Sequence, residues 1–204
     1  MDAKGFGSSG VRGSRQKGSK ARAEDLAFVG RVDYAPAQLP GVTFGASAYL
    51  GNSGQNQDFA GQEVDAFTQL YEAHLEWKYR GLEFRTLGSW GLIDDAAMLS
   101  ADKGEVIGEE NYGWYAEVGY DILPHIFPET GQYLAPFFRY ERMDTVASAP
   151  TGWADDLTKD REIIQVGLQY KPIPNVVIKA DYRNFDSEGG DLPDDFNLGL
   201  GFIF

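Results

Sequence analysis

The chain ends in Phe196-Asn-Leu-Gly-Leu-Gly-Phe-Ile-Phe204, and this stretch decides the fold. Phe196, Leu198, Leu200, Phe202 and Phe204 alternate with Asn197, Gly199, Gly201 and Ile203. Residues two apart on a strand share a face, so the segment presents one apolar face and one of mostly small or polar groups. Chain ends usually fray into polar residues; this one stops on an aromatic ring.

The same period of two recurs toward the N-terminus. Alternation bounded by turn residues predicts nine strands, over about 25–35, 41–51, 67–79, 81–92, 112–122, 133–144, 161–171, 175–185 and 196–204. In the third, Tyr71, Ala73, Leu75, Trp77 and Tyr79 oppose Glu72, His74, Glu76 and Lys78. In the seventh, Ile164, Val166, Leu168 and Tyr170 oppose Gln165, Gly167 and Gln169. No segment sustains a helical period, so the expected class is all-β: an antiparallel, up-and-down meander.

Connection lengths alternate as well. Pro36–Pro40, Arg80-Gly81 and Pro172–Pro174 are short and Leu123–Gln132 is intermediate, whereas 52–66, 93–111, 145–160 and 186–195 are long. Aromatic residues fall toward both strand ends on the apolar face. Tyr34, Trp77, Tyr79, Phe84, Tyr120, Tyr170 and Phe202 lie at the short-turn end, and Tyr71, Trp90, Tyr112, Trp114, Tyr182 and Phe196 at the other. Aromatic side chains favour bilayer interfaces because part of the ring system is apolar and part can hydrogen-bond. Transmembrane barrels combine short turns on one side with long loops on the other and an apolar band between two such girdles.

The opposite face is rich in ions. It is expected to carry Arg31 and Asp33, then Glu72, His74, Glu76 and Lys78, then Glu83 and Arg85. Glu117, Asp121, Arg139 and Glu141 follow, and Lys179, Asp181 and Arg183 complete it. In a dry sandwich core each unpaired group would cost several kcal/mol. A water-filled lumen removes that cost and lets neighbouring strands pair opposite charges.

Composition excludes other classes. The formal charge of −13 opposes the basic surface that a nucleic-acid binder needs. With no Cys, a disulfide framework and a thiolate metal site are excluded. No run of eighteen apolar residues supplies a transmembrane helix, a requirement that barrel strands escape. Acidic pairs such as Asp94-Asp95 and Asp155-Asp156 lie in predicted loops as solvated charge, without calcium-loop spacing. Residues 1–24 are polar, Gly/Ser-rich and basic, lack the apolar stretch of a signal peptide, and are expected to form an extracellular loop segment.

Arg12–Tyr34, Pro40–Gln55, Leu70–Leu82, Tyr112–Tyr120, Ala135–Glu141, Tyr170–Tyr182 and the C-terminal Phe196–Phe204 form a further pattern. Together these stretches resemble Gram-negative outer-membrane porins, particularly the phosphate-selective group. The terminal Phe204 is similar to the assembly signal by which such barrels engage the barrel assembly machinery. The resemblance implies a multi-pass barrel in the cell outer membrane, in contact with lipid and lipopolysaccharide, commonly a homotrimer. It further implies that residues 25–204 are the C-terminal part of a longer barrel. Nine strands is an odd number, whereas bacterial single-chain barrels have even numbers, so about half the wall of a barrel of roughly 16–18 strands is expected elsewhere, and Met1 is then an internal start.

The expected function is passive diffusion of small hydrophilic solutes and ions through a polar lumen, with no cofactor and no catalysis. Phosphate or anion selectivity is the alternative; about six basic and eight acidic groups on the polar face give it no basic excess. The basic Arg12–Arg22 segment would serve that alternative if it folds inward, and its Gly/Ser content equally suits a surface loop. Two further classes remain. One is a barrel hydrolase using His74 with Ser47 or Ser89; the other is a soluble β-sandwich binding sugars near Trp153 and Asp155-Asp156.

Overall fold

The computed structural model describes residues 1–16, 18 and 21–203. Nine long strands form one antiparallel sheet in which each strand pairs with its neighbours along the chain. They are β1 (Ala27–Tyr34), β2 (Val42–Asn52), β5 (Phe67–Tyr79), β6 (Leu82–Ile93), β7 (Glu110–Tyr120), β8 (Tyr133–Ser148), β9 (Asp160–Ile173), β10 (Val176–Ser187) and β11 (Asp195–Phe202). Between β2 and β5 a small separate ribbon pairs β3 (Asp58–Phe59) with β4 (Gln62–Glu63). All nine long strands coincide with segments of period-two alternation, with ends displaced by a few residues. Among the described residues the sheet is open: β1 pairs with β2 and β11 with β10, and the two outer strands do not pair with each other. It is also single, so the two-sheet sandwich is not the architecture.

Register keeps each face uniform across the sheet, because a slip of one residue would exchange the two faces. On the apolar face Tyr71 pairs with Trp90, which pairs with Tyr112. Toward the short-turn end Trp77 pairs with Phe84, Phe84 with Val118, and Val118 with Phe138. The row Leu134–Tyr170–Ile178–Leu200 carries the pattern to the last strand. This face is not covered: Trp77, Trp90, Val166, Leu168 and Ile178 are all exposed. A contiguous apolar surface across nine strands far exceeds the few hundred Å² that soluble monomers expose.

The short turns are tight for local reasons. Gly41 takes φ +78° between β1 and β2, and a Cβ there would lie 1.8 Å from the Lys78 carbonyl oxygen. Its own carbonyl accepts the Lys78 N–H at 2.8 Å. Only glycine fits both the left-handed backbone and that approach.

The long-loop end holds what sequence periodicity did not reveal. Helix α1 (Ala96–Lys103) stands in the β6–β7 connection and buries Ala96, Leu99 and Ser100, a spacing of three and four that makes one helical face. One more turn, α2 (Leu123–Ile126), closes the β7–β8 connection. The all-β expectation is thus corrected in the loops, where an eight-residue helix is too short to sustain a visible period. Residues 1–16 are also not a free loop. They form 3-10 turns at Ala3–Gly5 and Val11–Ser14, and Ala3 and Phe6 are buried with Phe59, Ala66, Ile93, Leu99 and Ile107. This cap holds the buried hydrophobic cluster of the molecule.

Candidate functional site: the polar face of the sheet

Alternation places the expected wall residues on the face opposite the exposed aromatics. Cross-strand pairs align Arg31 with Ser47 and Glu72, and Asp33 with Gly45 and His74. Farther along, Glu76 aligns with Arg85, Arg85 with Glu117, and Glu117 with Arg139. Lys179 and Asp181 face Gln169 and Gly167 on one side and Gly199 and Asn197 on the other.

Three clusters result. At the β1 edge, Arg31 holds Asp33 through two contacts of 2.8 Å. His74 Nδ1 lies 2.6 Å from the Glu72 carboxylate, and its Nε2 lies 3.1 Å from Asp33 and 3.2 Å from Arg31 Nη2. Gly45 leaves room for that ring, since a Cβ there would come within 2.1 Å of His74 Cε1. The Ser47 hydroxyl donates to Glu72 at 2.9 Å. Both ring nitrogens are engaged by charged groups, and the Ser47 hydroxyl is turned to the Glu72 carboxylate, so His74 and Ser47 share one charge network.

The second cluster spans β6 to β8. Arg85 contacts Glu83 at 3.0 Å and Glu117 at 3.9 Å. Arg139 contacts Glu141 at 2.6 Å and Glu117 at 3.6 Å, and its guanidinium lies 3.5 Å from the Tyr115 ring centroid, a cation–π stack. The third lies on β10 and β11. Lys179 approaches Asp181 at 3.9 Å and lies over the Phe137 ring, Asn197 donates to Asp181 at 3.2 Å, and Arg183 pairs with Asp195 at 2.9 Å. Lys78 and Glu76 are 4.0 Å apart. Each of the six bases expected on the wall therefore has a carboxylate within 4.0 Å.

Asp121 departs from this set. It follows the last residue of β7, and its carboxylate accepts the backbone N–H groups of Leu123 and Leu134 at 3.2 and 3.1 Å. It ties the start of the β7–β8 connection. Beside it, His125 meets the Tyr120 hydroxyl at 2.6 Å. Sequence reasoning passed over Tyr115, Asn197 and Asp195 as wall residues, although the period of two assigns all three to this face.

The N-terminal cap reaches the polar face at the long-loop end. The Met1 ammonium donates to the Tyr49 hydroxyl on β2 at 2.7 Å, and Thr145 on β8 donates to the Ser8 carbonyl at 2.7 Å. Val11 borders a cavity of about 410 Å³ together with Arg31, Ser47, Tyr49 and Glu72. Lys4 pairs with Asp102 at 2.8 Å, and that ammonium holds the Asp102 carboxyl below its usual range. Arg12 and Arg15 remain exposed. The expected contributions of Lys17, Lys20 and Phe204 fall outside the described residues.

No family model matches the chain. A protein of Aquifex aeolicus (strain VF5), described as "Uncharacterized protein", is 33% identical over 200 residues, covering 93% of this chain and 44% of the relative. The chain spans less than half the length of the relative it matches.

Proposed function

We propose that this chain forms part of the wall of an outer-membrane porin, through which small hydrophilic solutes and ions diffuse along the polar face. The observation that carries the reading is one sheet with two faces of opposite character, held in register over nine strands. An exposed apolar face rimmed by aromatics suits a bilayer. Central strands of 11–16 residues meet or exceed the roughly 9–11 that cross its core. A polar face of paired ions suits water, where pairing and solvation together hold the charges at little cost.

The same pairing argues for weak selectivity. A phosphate-selective wall needs bases free to meet the anion, and here the six wall bases are each matched by a carboxylate. The field along the wall is therefore near neutral to slightly acidic, which favours small cations modestly and neutral solutes not at all. Association into a homotrimer, contact with lipopolysaccharide and delivery by the barrel assembly machinery belong to the same reading.

The test is fractionation followed by conductance. The protein should sediment with the membranes of cells that make it and need detergent for release. Membranes that also contain the rest of the wall, fused to a planar bilayer, should give uniform steps with a weakly cation-preferring reversal potential. A monomer in the detergent-free soluble fraction would overturn the proposal.

A further inference from the structure

Two neighbouring rows of the polar face meet beneath the N-terminal cap, and they differ in character. Strand pairing aligns Arg31, Ser47, Glu72 and Ser89 in one row. One pleat nearer the long loops, Val29, Tyr49 and Leu70 stand in line with Gly91 and Asn111. This second row has the inward parity that carries ions over the rest of the wall, yet its first three members are apolar or aromatic. Val11 of the cap completes, with both rows, the lining of a cavity of about 410 Å³. We propose that this cavity binds a small zwitterion with an apolar side chain, an α-amino acid of the leucine type, as it moves along the polar face. The inference rests on the porin reading for access from water and deepens it by naming a solute class.

The charged row offers one base and one acid, each with bonding capacity left. Arg31 engages Asp33 through Nε and Nη2 at 2.8 Å, and Nη2 also lies 3.2 Å from His74 Nε2. Its Nη1 makes no hydrogen bond among the described residues. Glu72 accepts the Ser47 hydroxyl at 2.9 Å and meets His74 Nδ1 at 2.6 Å, while a carboxylate has about four acceptor sites. Guanidinium and carboxylate are thus separated by the width of one imidazole and two short contacts. The ammonium and carboxylate of an α-amino acid, carried on one carbon with a contact on either side, span the same gap. Charge-assisted bonds form at both ends, whereas a solute with one charge meets only one of the two groups.

The apolar row accounts for the side chain. Val29, Leu70 and Val11 offer no partner to a second charge, and burying an aliphatic group among them is favourable. Gly91 lets Leu70 and Asn111 lie across its strand, since a Cβ there would meet Asn111 Oδ1 at 2.5 Å and Leu70 Cδ2 at 2.8 Å. At that far wall Asn111 Nδ2 is buried without a hydrogen-bond partner among the described residues, a donor that a water or solute oxygen entering the cavity satisfies. A second cavity of about 400 Å³ shares Arg31 and Glu72 and continues past His74, Glu76 and Arg85. The head-group site therefore opens onward along the wall. An inorganic anion gains nothing from the apolar row, and Glu72 opposes it beside Arg31.

Saturation-transfer NMR on the full chain in detergent micelles, titrated with L-leucine, glycine, isoamylamine and isocaproate, tests the assignment. The last two are leucine without its carboxylate and without its ammonium. Leucine should bind about tenfold or more tighter than glycine, and tighter than either singly charged analogue. Arg31→Gln should weaken leucine and isocaproate about tenfold or more and spare isoamylamine. Glu72→Gln should weaken leucine and isoamylamine and spare isocaproate. Loss of fold alone removes every probe, so this crossed pattern separates charge recognition from folding. Absence of leucine binding, leucine no tighter than glycine, or variants that affect all probes alike overturn the inference. A chain soluble without detergent that shows the crossed pattern overturns the wall reading alone. A membrane-bound chain that binds none of the probes overturns this inference alone.

Discussion

Arg139 shows how the polar face of the sheet manages charge at the scale of one residue. Its guanidinium stands between Glu117 and Glu141 while its plane covers Tyr115. Arg139→Ala should leave two carboxylates with one base, Arg85, 3.9 Å from Glu117. The expected outcome is a reversal potential shifted toward cations at 0.1 M salt and much less shifted at 1 M, because the screening length falls from about 10 Å to about 3 Å. An unchanged potential at low salt would place Arg139 away from the ion path. Period-two alternation made residues such as Arg139 and Asp181 legible without coordinates, since face follows directly from parity along the strand. Parity says nothing about where a strand stops, and Asp121 stands just past the last residue of β7. The room that Gly45 leaves for His74 was equally hidden, because it depends on a neighbouring strand.

At the scale of elements, strands and cap should respond differently to substitution. Leu168 lies on the apolar face of β9 between Pro136 and Ala180. Leu168→Arg should cost about 2–4 kcal/mol if that position faces the bilayer midplane, measured by urea titration in lipid vesicles; a cost near zero would argue for solvent there. Leu99→Ala should cost the cap about 2–5 kcal/mol, seen as faster proteolysis within residues 1–16 while the sheet stays protected. The cap should also loosen in acid. Lys4 lowers the folded-state pKa of Asp102, so the pair stabilises above the ordinary carboxylate pKa and is lost as pH falls through the lower folded value. Protease resistance of residues 1–16 should therefore persist to about pH 4 and decline below, and Asp102→Asn should remove that acid-dependent step. Sequence gave little warning of the cap, because Ala3 and Phe6 are isolated apolar residues in a Gly/Ser-rich stretch, and partners from two separated segments, 59–66 and 93–107, bury them.

At the scale of the whole molecule, strand number and order were readable because each strand pairs with its chain neighbours, so local turns set the topology. What the outer edges of β1 and β11 meet was not readable, because the alternation within a strand fixes its faces and not its edge partners. The central claim is that one face of the sheet meets lipid and the other water. A spin label placed singly at Gln165, Val166, Gly167, Leu168 and Gln169 of β9 in lipid vesicles measures this directly, through collision with oxygen, which concentrates in lipid, and with a water-soluble nickel chelate. The expected result is strict alternation, with Val166 and Leu168 reached by oxygen and Gln165, Gly167 and Gln169 by nickel. Nickel access at all five positions would contradict the membrane wall.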